Sequence, residues 1–398
     1  MEKTSFLEME QESDKPPSTR PQPARPWRVA VIANLKGETP LPFDGPADAG
    51  AEFDRKETIE AICNAIDSNG HKSSFLPADN NLPYALRDFN PDICFNIAEG
   101  LDGDAREAQV PALLEMLRIP YTASCVLANA IALDKTMTKR IWRERGLPIA
   151  EFQEFVYGSE PLSSMLHFPL FAKPAREGTG MGVDEKAVIN NMRELRQRVG
   201  WIIKEYHQPA LVEEFLPGRE FTIGVLGRED AILYSRRPDL YRSDGFHRFN
   251  TLEVDAGKSV TPGIYGHTAK TLTNADEGVP GFICPANVSR QLGDKLHRLA
   301  VAAHKAIGAL DVSRVDMRMD SFGQPKLIEI NTLPGLTPGF SDLCVIANSE
   351  GITYRDLILE ILYLGASRFK LLEPATFGPF SIDALKPRRV RESVVVRR

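Results

Sequence analysis

The chain has 398 residues, 42% of them hydrophobic and 26% charged, with 48 Lys and Arg against 54 Asp and Glu and a net charge of -6. That length allows two or three domains with cores of their own, and the composition excludes a disordered or fibrous protein. The acidic balance argues against nucleic acid as the main partner, and no apolar run is long enough to cross a bilayer. Five scattered cysteines (Cys63, Cys94, Cys125, Cys284, Cys344) lack the paired spacing of a zinc site. They and the absence of a signal peptide at Met1-Glu-Lys-Thr-Ser-Phe point to reduced thiols and a cytoplasmic protein.

Residues 1–26 are polar and end in the Pro-rich Pro16-Pro-Ser-Thr-Arg-Pro-Gln-Pro-Ala-Arg-Pro26, so a disordered leader is expected. Order should begin at Arg28-Val-Ala-Val-Ile-Ala33, an apolar strand, followed by a Gly/Pro loop and a helix with Ile59, Ile62 and Ile66 on one stripe, stopped by Gly70. Strands at Ser73 to Leu76 and Asp92 to Ala98 alternate with helices, the order of an open parallel α/β sheet. No Gly-x-Gly-x-x-Gly follows the first strand, which removes the main support for a nicotinamide or flavin cofactor. Helices are expected from Arg106 to Leu117 and, in one piece, from Val126 to Arg145, stopped by Gly146 and Pro148.

Strands at Leu170 to Lys173, Leu211 to Phe215 and Glu220 to Leu226, with a helical segment including Met192 to Val199, make residues 150–227 read as a small α+β unit. Residues 236–285 show no clean period. A helix at Val288 to Ile307, a hairpin and a helix at Tyr354 to Leu364 follow. The expected organisation is a leader (1–26), an N-terminal α/β domain (27–125), a central α+β subdomain (126–235), a C-terminal subdomain with a metal site (236–367), and a tail (368–398) whose basic cluster Pro387-Arg-Arg-Val-Arg391 is solvated.

The hairpin is the most informative segment. Along Arg314-Val-Asp-Met-Arg-Met-Asp320, alternation puts Arg314, Asp316 and Arg318 on one face, and along Leu327-Ile-Glu-Ile-Asn331 it puts Glu329 with Asn331. Turning the chain about Gly323 sets Asp316 roughly opposite Glu329. Facing carboxylates repel unless a cation lies between them, and Asp, Glu and an Asn carbonyl are the hard oxygens that suit Mg²⁺. Upstream, Pro174-Ala-Arg-Glu-Gly-Thr-Gly-Met-Gly-Val183 has glycines at 178, 180 and 182, whose amides can turn toward one anion, and Lys173 precedes it. An anion nest, a lysine and a hard-ligand metal site together describe a nucleoside triphosphate site.

These residues resemble the ATP-grasp carboxylate–amine ligases, and among them the D-alanine–D-alanine ligases. Six ordered blocks carry the resemblance over most of residues 28–366: Arg118-Ile-Pro-Tyr-Thr122 with Ala132-Leu-Asp-Lys135, Phe171-Ala-Lys-Pro174, the loop Glu177 to Gly182, Val212-Glu-Glu-Phe-Leu-Pro-Gly-Arg-Glu-Phe-Thr222, Arg314-Val-Asp316, and Glu329-Ile-Asn-Thr-Leu-Pro-Gly-Leu-Thr337. The resemblance implies an ATP-grasp fold behind an N-terminal open parallel α/β domain. It implies that Lys135, Lys173 and the loop Glu177, Gly178, Thr179, Gly180, Met181 and Gly182 bind ATP phosphates, that Glu213, Glu214 and Phe215 form the strand around adenine, and that Glu220 binds ribose. Asp316, Glu329 and Asn331 match the ligands of Mg²⁺, with two ions expected and Mn²⁺ as a substitute. Arg314 and Gly335 match groups that bind the acceptor carboxylate and stabilise the tetrahedral intermediate, with Thr179 and the closing-loop Lys270 as further catalytic candidates and Glu52 and Ser341 as substrate-binding candidates.

The departures cluster at the amino-acid end. Gly180 replaces a family serine, Thr271 stands where a tyrosine is usual, and Asn96-Ile-Ala-Glu-Gly-Leu-Asp-Gly-Asp-Ala-Arg-Glu107 replaces a His-Gly segment. Glu99 and Arg106 within it read as a surface ion pair of little value, and His247 and His267 as loop or core positions. The expected activity is ATP- and Mg²⁺-dependent formation of a peptide or amide bond between small amino acids. The alternatives are a ligase of another peptide or modified carboxylate and a nucleotide-binding regulatory protein without turnover. The expected partners are small molecules and ATP, with no nucleic acid and no membrane, and the resemblance allows a homodimer.

Overall fold

The computed structural model describes residues 21, 23–41, 45–255, 257, 266, 281–375 and the backbone of 394–396. Its first layer is a parallel sheet of strands β1 (Arg28–Ala33), β2 (Lys72–Pro77) and β3 (Ile93–Asn96) in the order β2-β1-β3. β1 takes the centre because Val29 to Ala33 are apolar on both faces, and all five are buried. Helix α1 (Lys56–Asp67) lays Ile59, Ile62 and Ile66 on it, as the stripe predicted. Order starts slightly earlier than expected: Arg25 pairs with Asp92, and buried Trp27 stacks on His71 with ring centroids 4.8 Å apart. The rest of the leader lies almost wholly outside the described residues.

Helices α2 (Leu82–Phe89) and α3 (Gln109–Leu117) follow, the latter after a short 3₁₀ turn at Arg106–Ala108. The single helix expected from Val126 to Arg145 is two, α4 (Val126–Leu133) and α5 (Lys135–Glu144). Asp134 between them is extended, and its carboxylate accepts the Met137 amide at 2.9 Å, an N-cap that starts α5 afresh.

A second, antiparallel sheet joins β4 (Phe152–Phe155), β5 (Leu170–Pro174), β6 (Val188–Ile189) and β7 (Ala210–Glu214) in the order β4-β7-β5-β6, covered by α6 (Met192–Tyr206). The third sheet contains β8 (Glu220–Gly227), β9 (Phe246–Arg248), β10 (Leu252–Asp255), β11 (Gly281–Cys284), β12 (Val312–Met319), β13 (Pro325–Asn331) and β14 (Val394–Val396) in the order β13-β12-β8-β10-β11-β14, with β9 beside β8. The 150–227 segment thus lends its last strand, β8, to this sheet, and the segment without clean period supplies three short strands to it. Helix α7 (Arg290–Ala306) packs on one face, while α8 (Asp342–Ser349) and α9 (Tyr354–Arg368) carry the other toward the N-terminal sheet, sharing one core with β1, β3 and α1. α9 reaches so deep that Leu357 to Ser367 are all buried.

Candidate active site

The hairpin has the expected register. Arg314 pairs with Asn331, Val315 with Ile330 and Asp316 with Glu329, and a bulge follows Asp316. Bulges re-aim side chains, and here the irregularity falls at an acid. Each carboxylate already meets a cation of the protein. Arg314 forks onto Asp316 at 3.1 and 2.9 Å, Thr222 on β8 also donates to Asp316, and Lys135 stands 3.5 Å from Glu329. The repulsion expected between the two acids is therefore partly met by Arg314 and Lys135.

Among the described residues no group of three His, Cys, Asp or Glu side chains is set to hold a metal. The candidate set is two carboxylates and the Asn331 amide, whose side-chain nitrogen is buried without a hydrogen-bond partner. Hard oxygens on facing strands fit Mg²⁺.

Two adjoining cavities share Glu329. One is walled by Phe171, Val183, Phe215, Leu216 and Ile328, with Lys173, Glu213, Glu214, Glu220, Asp316 and Arg318 at its polar edge. The other holds Lys135, Glu177, Gly178, Thr179, Arg314, Asn331, Gly335, Ser341, Asp342 and the acids Glu52, Glu99 and Glu107. The glycine loop spans both, with Gly178 and Thr179 on one cavity and Gly180 on the other.

The loop is a smaller nest than its sequence suggests. The amides of Met181 and Val183 bond to Gly178 and Gly180 carbonyls, and that of Gly182 donates to Asp48 at 2.9 Å, so these three are committed to holding the loop. Gly182 is required there: at φ +68°, a Cβ would come within 2.7 Å of the Pro174 ring. A Cβ on Gly178 would meet the Glu52 carboxylate.

Arg106 is buried, contrary to the surface pair expected with Glu99. Its guanidinium bonds Glu52 at 2.6 Å, Glu177 at 3.0 Å and the Arg176 carbonyl at 2.7 Å, a three-way tie between the 45–54 loop, the 3₁₀ turn and the glycine loop. Glu177 also accepts from Gln208 at 2.6 Å, so its side chain braces the loop. Burial, with Glu52 the next cause, pushes the Glu107 carboxyl up to about 7. Burial and then Glu107 raise Glu99 well above the carboxylate range.

At the cavity with the apolar wall, Glu213 bridges two lysines, Lys139 at 2.7 Å and Lys173 at 2.9 Å. Burial alone would raise its carboxyl, but the two ammonium groups hold it down at about 2. Lys139 was not among the expected residues. Its one sequence signal is its place four residues after Lys135, which puts both on one face of α5.

Gly335 sits against Ser341, whose hydroxyl would lie 2.9 Å from a Cβ, and Ser341 Oγ accepts the Thr337 amide at 3.0 Å. Both border the start of α8, where Asp342 lies 3.6 Å from Arg314. Lys270, Thr271 and His267 lie outside the described residues. His247 is a core position, 3.0 Å from Glu350.

Residues 141–363 match the family model described as D-ala D-ala ligase C-terminus. The chain is 30% identical over 304 residues to D-alanine–D-alanine ligase B of Chromobacterium violaceum, spanning 76% of this chain and 89% of that protein. It is 29% identical over 357 residues to the uncharacterized protein y4sG of Sinorhizobium fredii, spanning 88% of this chain and 91% of that one. A crystal structure of D-alanine–D-alanine ligase from Bacillus anthracis, complexed with ATP, shares the fold with a TM-score of 0.63 over 86% of this chain and 99% of that one, at 20% identity.

A glycine loop on one sheet faces an acid-bearing hairpin on another, which is the ATP-grasp architecture. With the matched model and relatives, the chain belongs to the D-alanine–D-alanine ligase family of carboxylate–amine ligases. No helix among the described residues is long and apolar enough to cross a membrane.

Proposed function

We propose that the protein activates a small carboxylate with ATP and joins it to an amine, forming a peptide or amide bond between small amino acids. The observation that carries this is Glu329, which faces Asp316 and lines both cavities, so that the γ-phosphate of a nucleotide in one would adjoin a carboxylate in the other. The apolar cavity suits a purine, with Glu214 and Glu220 near its polar atoms and Lys173 and Lys135 toward its phosphates. Asp316, Glu329 and Asn331 would hold Mg²⁺, which supplies charge neutralisation at the transferring phosphoryl group.

The substrate carboxylate attacks the γ-phosphorus, ADP leaves, and an acyl phosphate forms. The amine then displaces phosphate from the acyl carbon. No protein nucleophile is needed, so the chain's contribution is to orient, neutralise and exclude water. Gly178 and Thr179 line the phosphate path, Arg314 supplies a cation to the acyl oxygens, and Gly335 and Ser341 bound the acceptor.

Phosphate release from Mg·ATP against D- and L-amino acids, singly and paired, with mass spectrometry of products, tests this. Release with a dipeptide product from D-alanine supports the dipeptide reading, and nucleotide binding without product from any mixture sinks turnover. A second reading keeps the chemistry with a different carboxylate or peptide. It is favoured by Glu52, whose carboxylate is already paired with Arg106, and by the extra acids Glu99 and Glu107 at the substrate end.

A further inference from the structure

Lys139 is a fully buried lysine that lines neither of the two cavities. Its ammonium group lies 2.7 Å from Glu213 and 3.3 Å from the Leu327 carbonyl, two residues before Glu329. Burying an ammonium group is costly, and a methionine of similar shape would fill the same space between α5 and the sheets. Lys173, 2.9 Å from the other carboxylate oxygen, would neutralise Glu213 by itself. Two ammonium groups meet this one buried carboxylate, and Lys173 is also drawn by Glu329 and Glu220 on the cavity wall. Lys173 alone of the pair borders the cavity, so it is the one with a second destination.

We propose that Lys139 is a positioning residue: by holding the charge of Glu213 from behind, it lets Lys173 leave that carboxylate for the phosphates of a bound nucleotide. Without Lys139, moving Lys173 would strand a buried, unpaired carboxylate, and the lysine would stay where it is. The inference rests on the proposed nucleotide site.

Calorimetric titration of the full-length protein with Mg·ATP tests it. Lys139→Met should weaken nucleotide binding by on the order of 10- to 100-fold, the scale of one lost charge-assisted hydrogen bond in a buried network. It should raise KM for ATP more than it lowers kcat. Glu213→Gln removes the charge that restrains Lys173, so in that background Lys139→Met should change affinity by less than about twofold. Where Lys139→Met alone fails to fold, this second comparison still tests the inference, because a loss of tenfold or more on adding Lys139→Met to Glu213→Gln would overturn it. Equal loss in both backgrounds, or unchanged affinity in a folded Lys139→Met protein, would overturn the inference alone. Absence of Mg·ATP binding by the unaltered protein would overturn the nucleotide site and the inference with it.

Discussion

Glu329→Gln should separate the proposed metal binding from folding. Glutamine preserves the volume on β13 and still reaches the shared edge of the two cavities, so packing around Ile328 and Ile330 should persist. What it loses is a formal charge facing Asp316 and the ion pair with Lys135 at 3.5 Å, where the two side chains are 16% and 8% exposed. The contact is long, and Lys135 keeps its bond to the Glu177 carbonyl, so the stability cost should be about 1–2 kcal/mol. The catalytic cost is larger, because a Mg²⁺ ion stabilises charge at the transferring phosphoryl group by several kcal/mol. Weakening one carboxylate ligand by ~3–4 kcal/mol corresponds to roughly 10²- to 10³-fold in turnover. The assay is phosphate release as a function of Mg²⁺, paired with thermal unfolding of the same preparation. A higher Mg²⁺ requirement with a nearly unchanged unfolding midpoint is expected. Turnover within about twofold of the parent at the same Mg²⁺ requirement would refute the metal assignment.

Asp134→Ala removes both the α5 cap and a 2.9 Å bond from Arg176, and should lower stability by about 1.5–3 kcal/mol in denaturant unfolding, with Asp134→Asn retaining most of the cap. Arg106→Met strips Glu52 and Glu177 of their buried cation and should destabilise by about 3–5 kcal/mol; an unfolding midpoint equal to the parent's would show that the three-way tie is unimportant. Burial raises the Asp54 carboxyl from 3.8 to about 7, so the folded state holds its proton longer than the unfolded chain does. Its contribution to stability is complete below about pH 4 and is lost as the pH rises through about 7, so Asp54→Asn should gain on the parent across that window and stay ahead at pH 8. A parent-to-variant difference that does not change with pH would contradict the burial of that carboxyl.

What the sequence determined by itself is what backbone geometry makes local. Side chains alternate along a strand whatever surrounds it, so the shared face of Asp316 with Arg314 and of Glu329 with Asn331 was readable from spacing, and the turn at Gly323 was enough to bring the two strands into register. The apolar run of β1 and the stripe of α1 were readable for the same reason. The break at Asp134 was hidden because helix-forming residues stand on both sides of it, and only the extended backbone shows the cap. Tertiary structure alone decided the rest: Arg106 reaching Glu177, Lys139 reaching Glu213 and Gly182 reaching Asp48 are pairings between residues 71, 74 and 134 positions apart. A charged side chain carries no local mark of whether it will be solvated or buried. That depends on which distant group the folded chain brings to it, because a buried charge is tolerated only when a partner arrives with it.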